Sequence, residues 1–225
     1  MKIEKDLSDE FPGLRVLELK MSQLEIKKSD SLLVEFRRKK QEEIRDKIRT
    51  SEVIKDLPII RAYRDFYWKV GIDPTKTRPA GEALTRRILA GRDLPTINTF
   101  VDAYNIASAE SSVAIAAFDS ETIEHESLIM RRAVKSEPFL GIGMDSAICL
   151  SGVEVVIEDT ESKRLIAIYP YRDSEDSKVT ERSSAVLLMM CGVPGITEAD
   201  LLSALKLTKE YVERFCKFKR EESLC

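Results

Sequence analysis

The chain has 225 residues, 43% hydrophobic and 33% charged, which is enough apolar content for one ordinary core. Its 36 Lys and Arg face 39 Asp and Glu, and a net charge of -3 argues against a general nucleic-acid binder, which would be basic overall. No apolar run approaches the roughly 20 residues that span a bilayer, and the charged start Met1-Lys2-Ile3-Glu4-Lys5-Asp6 lacks the apolar region of a signal peptide.

In chain order, Leu14 to Lys20 alternates apolar and charged residues as a half-buried strand does. Leu32 to Ile48 reads as a highly charged amphipathic helix, in which Glu42 and Glu43 answer the run Arg37-Arg38-Lys39-Lys40. Ser51 is expected to cap a second helix that runs past Pro58 to Val70 and stops at Gly71. Pro79 suits the first position of a helix ending near Leu89, and Ile97 to Ala107 reads as a third, with Ile97, Val101 and Tyr104 inward. The period then changes. Strands are expected at Val113–Phe118, Leu128–Ala133 and Pro138–Gly143, then a hairpin of Val153–Ile157 and Leu165–Tyr169, then Ala185–Met190. Thr197 with Asp200 begins a capped C-terminal helix. Helices, then mostly antiparallel strands, then a closing helix make an α+β domain. Residues 1–55, a strand and a charged helix, are expected to pack on a main domain of residues 56–220.

The four cysteines, Cys149, Cys191, Cys216 and Cys225, contain no C-x-x-C pair, and His125 is the only histidine. No zinc site, His-based triad or cofactor is expected, and reduced thiols point to the cytoplasm. His125, in Glu124-His125-Glu126, reads as a solvated loop residue. Gly141-Ile142-Gly143 lacks the third glycine of a phosphate loop.

Charge is uneven along the chain. Residues 61–100 hold eight basic against four acidic side chains, whereas residues 101–225 hold 14 against 22. Any positive field therefore sits on the middle segment. Three polar groups stand out. Asn98, Asp102 and Asn105 share one face of the expected third helix and could line a pocket or bind neighbouring loops. Arg78, Glu82 and Arg86, with Arg87 beside them, form either an ion-pair ladder or a phosphate contact. Arg172, Asp173 and Thr180 follow a strand end, where a site or a self-stabilised turn fits equally.

From Tyr63-Arg64 through Gly71-Ile72-Asp73-Pro74-Thr75-Lys76-Thr77-Arg78-Pro79, Glu82-Ala83-Leu84, Leu94-Pro95-Thr96-Ile97-Asn98, Phe118-Asp119 and Tyr171-Arg172-Asp173-Ser174, the chain resembles the stand-alone B3/4 proteins. It is similar, too, to the B3/B4 editing domain of the phenylalanyl-tRNA synthetase beta subunit. The resemblance covers roughly Ile60 to Cys216 and implies a three-layer β/β/α fold. In the synthetase this domain hydrolyses tyrosine mischarged onto the phenylalanine tRNA, through segments of the approximate form V-N-x-V-V-D-x-T-N and H-A-F-D. Asn98, Asp102, Asn105 and Asp119 match those segments, while Tyr104 replaces the threonine and Ala116 the histidine. The replacements remove a polar group and an imidazole from a pocket of the synthetase type, and Tyr104 changes what fits there.

Three functional readings follow. One is a tRNA-interacting module, hydrolysing a mischarged aminoacyl-tRNA with a positioned water, with Arg78, Arg86 and Arg87 on phosphates. Another is a protein that binds an amino acid or other small molecule in the same pocket without tRNA. The third is a structural partner acting through its charged N-terminal helices. The residues carry no signal for an oligomeric state.

Overall fold

The structure is a computed structural model that describes residues 1–48, 50 and 52–218. The chain runs through β1 (Lys2–Ile3), α1 (Lys5–Glu10), β2 (Arg15–Met21), β3 (Leu24–Glu25), α2 (Ser31–Lys47), α3 (Pro58–Lys69), α4 (Ala80–Leu89) and α5 (Thr99–Ser111). It continues through β4 (Ile115–Asp119), β5 (Leu128–Arg132), β6 (Pro138–Phe139), β7 (Ile148–Cys149), β8 (Val155–Asp159), β9 (Arg164–Ile168), β10 (Arg172–Asp173), β11 (Val186–Gly192), α6 (Glu198–Phe215) and β12 (Lys217–Phe218).

The architecture is α+β, with mostly antiparallel sheets. One sheet has the order β2-β11-β4, and a second has the order β1-β5-β8-β9-β10, in which only the β1–β5 pair is parallel. Strand β11 is buried at all seven positions, which explains its unbroken apolar run; a strand covered on both faces need not alternate. Helices α5 and α6 pack on each other and against this sheet. Tyr169, at the end of β9, directs its hydroxyl at the carbonyls of Gly192 and Arg15, tying the second sheet to the first.

Several boundaries differ from the sequence expectation, each for a local reason. The cap expected at Ser51 lies outside the described residues. Helix α3 begins at Pro58 rather than running through it, after a single tight turn at Ile54–Asp56. A proline fits a first helical turn but breaks a helix interior. Pro79 stands one residue before α4, as its N-cap. Helix α5 begins at Thr99 and continues to Ser111, leaving Ile97 outside it and 43% exposed. The strand expected over Pro138–Gly143 forms only at Pro138–Phe139, with a single bridge from Gly141 to Ser174 beyond it, because the chain then turns: Met144 N–H reaches Gly141 O, and Gly143 takes a φ of +75°. The capping box on α6 forms as its spacing predicts, with Thr197 Oγ1 and Asp200 serving each other's backbone N–H groups.

Candidate functional site

The hairpin of β9 and β10 turns through Tyr169-Pro170-Tyr171, where the Tyr169–Pro170 peptide is cis and Tyr171 N–H closes onto Ile168 O at 2.7 Å. Its register sets Asp173 opposite Ala167 and Arg172 opposite Ile168. A cavity of about 70 Å³ opens here, with Ala167, Ile168, Tyr171, Arg172 and Asp173 on one side. Ala80 from α4, Ala114 and Ala116 from the β4 segment, and Cys191 from β11 close the other. The floor is stiff. Tyr63 accepts from Ala114 N–H at 2.9 Å and donates to Cys191 O, so one buried phenol pins two cavity strands.

Asp173 is the carboxyl of this cavity. Its residue is half-buried but its carboxyl is enclosed by protein, and burial pushes its pKa up to about 7. The single opposing contact is a long hydrogen bond from Ala117 N–H at 3.5 Å. Charge in a dry pocket costs more than the neutral acid, which is why burial raises a carboxylic acid. Burial also holds the Cys191 thiol and the Tyr104 phenol well above their ordinary ranges, and the nearby Asp173 charge adds to each. Neither supplies an anion at neutral pH.

Arg172 lies beside Asp173 with its stem packed over Gly141, where any Cβ would collide with it. Its guanidinium stands over the Tyr171 ring at 5.0 Å, and Nη1 donates to Ile142 O at 2.8 Å. Its Nε is buried and has no partner among the described residues. A buried donor without an acceptor is costly and calls for an explanation.

The other residues singled out in the sequence are placed elsewhere. Asn98 stands outside α5 as its N-cap, so the expected single helix face of Asn98, Asp102 and Asn105 does not form. Asn98 Oδ1 accepts from Val101 N–H at 2.9 Å and its Nδ2 donates to Val179 O at 3.2 Å. Asn98→Ala should therefore cost about 1–3 kcal/mol in urea unfolding, from a lost cap and an orphaned carbonyl. Asp102 accepts from Ile97 N–H at 2.8 Å and meets Arg37 at 3.5 Å; burial raises its pKa against those two contacts. Asn105 is half-buried on the same helix. Thr180 belongs to a turn, with its N–H on Ser183 Oγ and its own Oγ1 accepting from Arg182 N–H. His125 is not a free loop residue, since its ring lies 3.2 Å from Glu18 and 3.1 Å from Glu126.

Glu82, fully buried on α4, holds Arg64 at 2.9 Å and Arg86 at 2.8 Å, with Arg78 at 4.0 Å. Around this hub Lys76, Arg78, Arg86, Arg87 and Arg92 line a shallow basic groove. Arg87 and Arg92 are exposed and make no ion pair among the described residues. Arg78, on the groove, is only two residues from Ala80, on the cavity wall. At the start of α4 one lining residue of each is thus within about 7 Å of the other along the backbone.

The family model described as the B3/4 domain matches residues 62–224. The chain belongs to the B3/4 domain family. Among solved structures, this B3/4 chain is similar to an N-terminal fragment of the phenylalanyl-tRNA synthetase beta-subunit from Pyrococcus horikoshii, with 13% identity and a TM-score of 0.48. The match covers 95% of this chain and 48% of that one, so the B3/4 chain spans about half the length of the fragment. Comparison with curated proteins finds no match.

Sequence reasoning placed Ala116, Arg172 and Asp173 in two separate groups, and the fold brings all three to one B3/4 cavity. It missed Ala114, Tyr171 and Cys191. The Tyr169-Pro170-Tyr171 turn before two charged residues is a local signal for Tyr171 alone, while Ala114 and Cys191 sit in apolar runs that mark only a core.

Proposed function

We propose that this B3/4 chain acts on tRNA, hydrolysing the ester of a mischarged aminoacyl-tRNA. The adjacency of the Asp173 cavity and the basic groove at Arg78–Ala80 carries this reading. The groove would take backbone phosphates through Arg78, Arg86 and Arg87, with Lys76 and Arg92, and the cavity would take the aminoacyl end. A carboxyl with a pKa of about 7 is matched to general-base work at neutral pH. Asp173 would take a proton from water as that water attacks the ester carbonyl, and Arg172 Nε would donate to the developing oxyanion. Collapse would break the carbon–oxygen ester bond and return the proton to the departing ribose hydroxyl, releasing free amino acid and tRNA. No helix among the described residues is long and apolar enough to cross a membrane. With Cys149, Cys191 and Cys216 unpaired, the reading places the protein in the cytoplasm, where thiols stay reduced.

Binding of unfractionated tRNA, followed between about 50 and 200 mM salt, tests the phosphate role. With Arg86 neutralised by Glu82, the groove cations Lys76, Arg78, Arg87 and Arg92 predict a slope of about -3 in log affinity against log salt, and Arg87→Ala should flatten it by about 0.7. A flat salt dependence would remove tRNA from the account. A panel of aminoacyl-tRNAs with small, branched and aromatic amino acids tests the chemistry by release of free amino acid.

A second reading, an amino-acid or small-molecule binder without tRNA, draws support from Glu82. It neutralises Arg86 and lies near Arg78, weakening the field a phosphate would feel. The panel separates the two, since this reading predicts ligand binding with no ester cleavage.

A further inference from the structure

We propose that the Asp173 cavity accepts only a small side chain, of about one or two non-hydrogen atoms as in alanine, serine or cysteine, and rejects aromatic ones. The aminoacyl nature of the ligand rests on the ester-hydrolase reading, whereas the size limit is a property of the cavity walls. The cavity measures about 70 Å³. An engineered protein cavity that accepts benzene measures about 150 Å³, so a phenyl or phenol ring needs about twice the space present.

The walls cannot readily yield. Ile157, Ile168, Tyr169 and Cys191 are all at most 2% exposed, and close-packed interiors resist expansion. Tyr169 is further held through its hydroxyl at Gly192 and Arg15. Tyr67 donates to Pro170 O at 3.3 Å, which restrains the turn above the cavity. On the opposite side Ala80 is positioned by Gly81, seated so closely on Ser112 that a Cβ would fall 2.7 Å from its carbonyl oxygen. Four alanines, Ala80, Ala114, Ala116 and Ala167, leave what space exists. Lengthening any of them fills it.

The test titrates the full, isotope-labelled chain with alaninamide, serinamide, phenylalaninamide and tyrosinamide, following the backbone amide resonances of Ala114, Ala116, Ala117 and Asp173. Alaninamide and serinamide should shift these resonances together, at least about tenfold more tightly than the aromatic amides. Ala116→Leu should abolish the response while keeping a dispersed spectrum. Tyr171→Ala, which removes a half-buried wall, should gain phenylalaninamide binding. Equal affinity for the aromatic amides, or no response to any of the four at tens of millimolar, overturns the proposal. If alaninamide binds in the cavity but no aminoacyl-tRNA is cleaved, the hydrolase reading fails and the size limit stands.

Discussion

Replacing Asp173 with asparagine should make the protein more stable at pH 8 and leave it unchanged near pH 3.5. The folded-state pKa of about 7 lies above the unfolded carboxyl value near 3.8, so the folded chain holds a proton that the unfolded chain releases. The stabilisation that proton brings is complete below pH 3.8 and is lost as pH rises through 7. At pH 8 the wild type carries an enclosed carboxylate with one long hydrogen bond, whereas asparagine carries no charge and still accepts from Ala117 N–H. Because the residue is half-buried, the gain should be about 2–4 kcal/mol rather than the full value of the shift. Urea unfolding of both proteins at pH 3.5, 6 and 8 measures it. A variant less stable than wild type at pH 8 would mean that the carboxylate has a partner and is not strained.

Glu82→Gln should have the opposite sign and a comparable size. The carboxylate is fully buried and neutralises Arg64, 19% exposed, and Arg86, 27% exposed. Removing one member of a buried ion pair strands the other, at about 3–5 kcal/mol when both are dry. The partial solvation of the two arginines brings the expected loss to about 2–3 kcal/mol. Arg78→Ala is the internal control: its guanidinium is half exposed and 4.0 Å away, so unfolding should move by less than about 0.5 kcal/mol. The midpoint in urea should fall in Glu82→Gln with the slope unchanged, as for a two-state loss of stability. Equal effects of the two substitutions would show that Glu82 is not the hub of α4.

Elements with a strong period or a stop signal were legible in the sequence. The capping box at Thr197 and Asp200 and the glycine after α3 act locally, so their residues alone determine them. Pro58 is the counter-example: the apolar run around it suggested a helix passing through, whereas the proline opens α3. The cavity was not legible, because its walls come from α4, from β4 and β11 of one sheet and from β8, β9 and β10 of the other, which only tertiary packing brings together. The Asn98–Asp102–Asn105 spacing suggested one polar face, but a side chain able to cap a helix often does so, and Asn98 takes the position before α5. In the same way the i to i+4 spacing of Arg78, Glu82 and Arg86 was visible, while the burial of Glu82 and its pairing with Arg64 were not, since Arg64 comes from α3.

The most direct test of Asp173 as the base in ester cleavage is the pH dependence of single-turnover deacylation, on the member of the panel cleaved fastest. The rate should rise with pH with a midpoint near 7, as the carboxyl ionises, and then level off. Asp173→Asn, folded and at least as stable, should cleave at least about 100-fold more slowly with no such midpoint. Cleavage by Asp173→Asn at the wild-type rate, or a wild-type profile without an inflection between pH 6 and 8, would contradict the account.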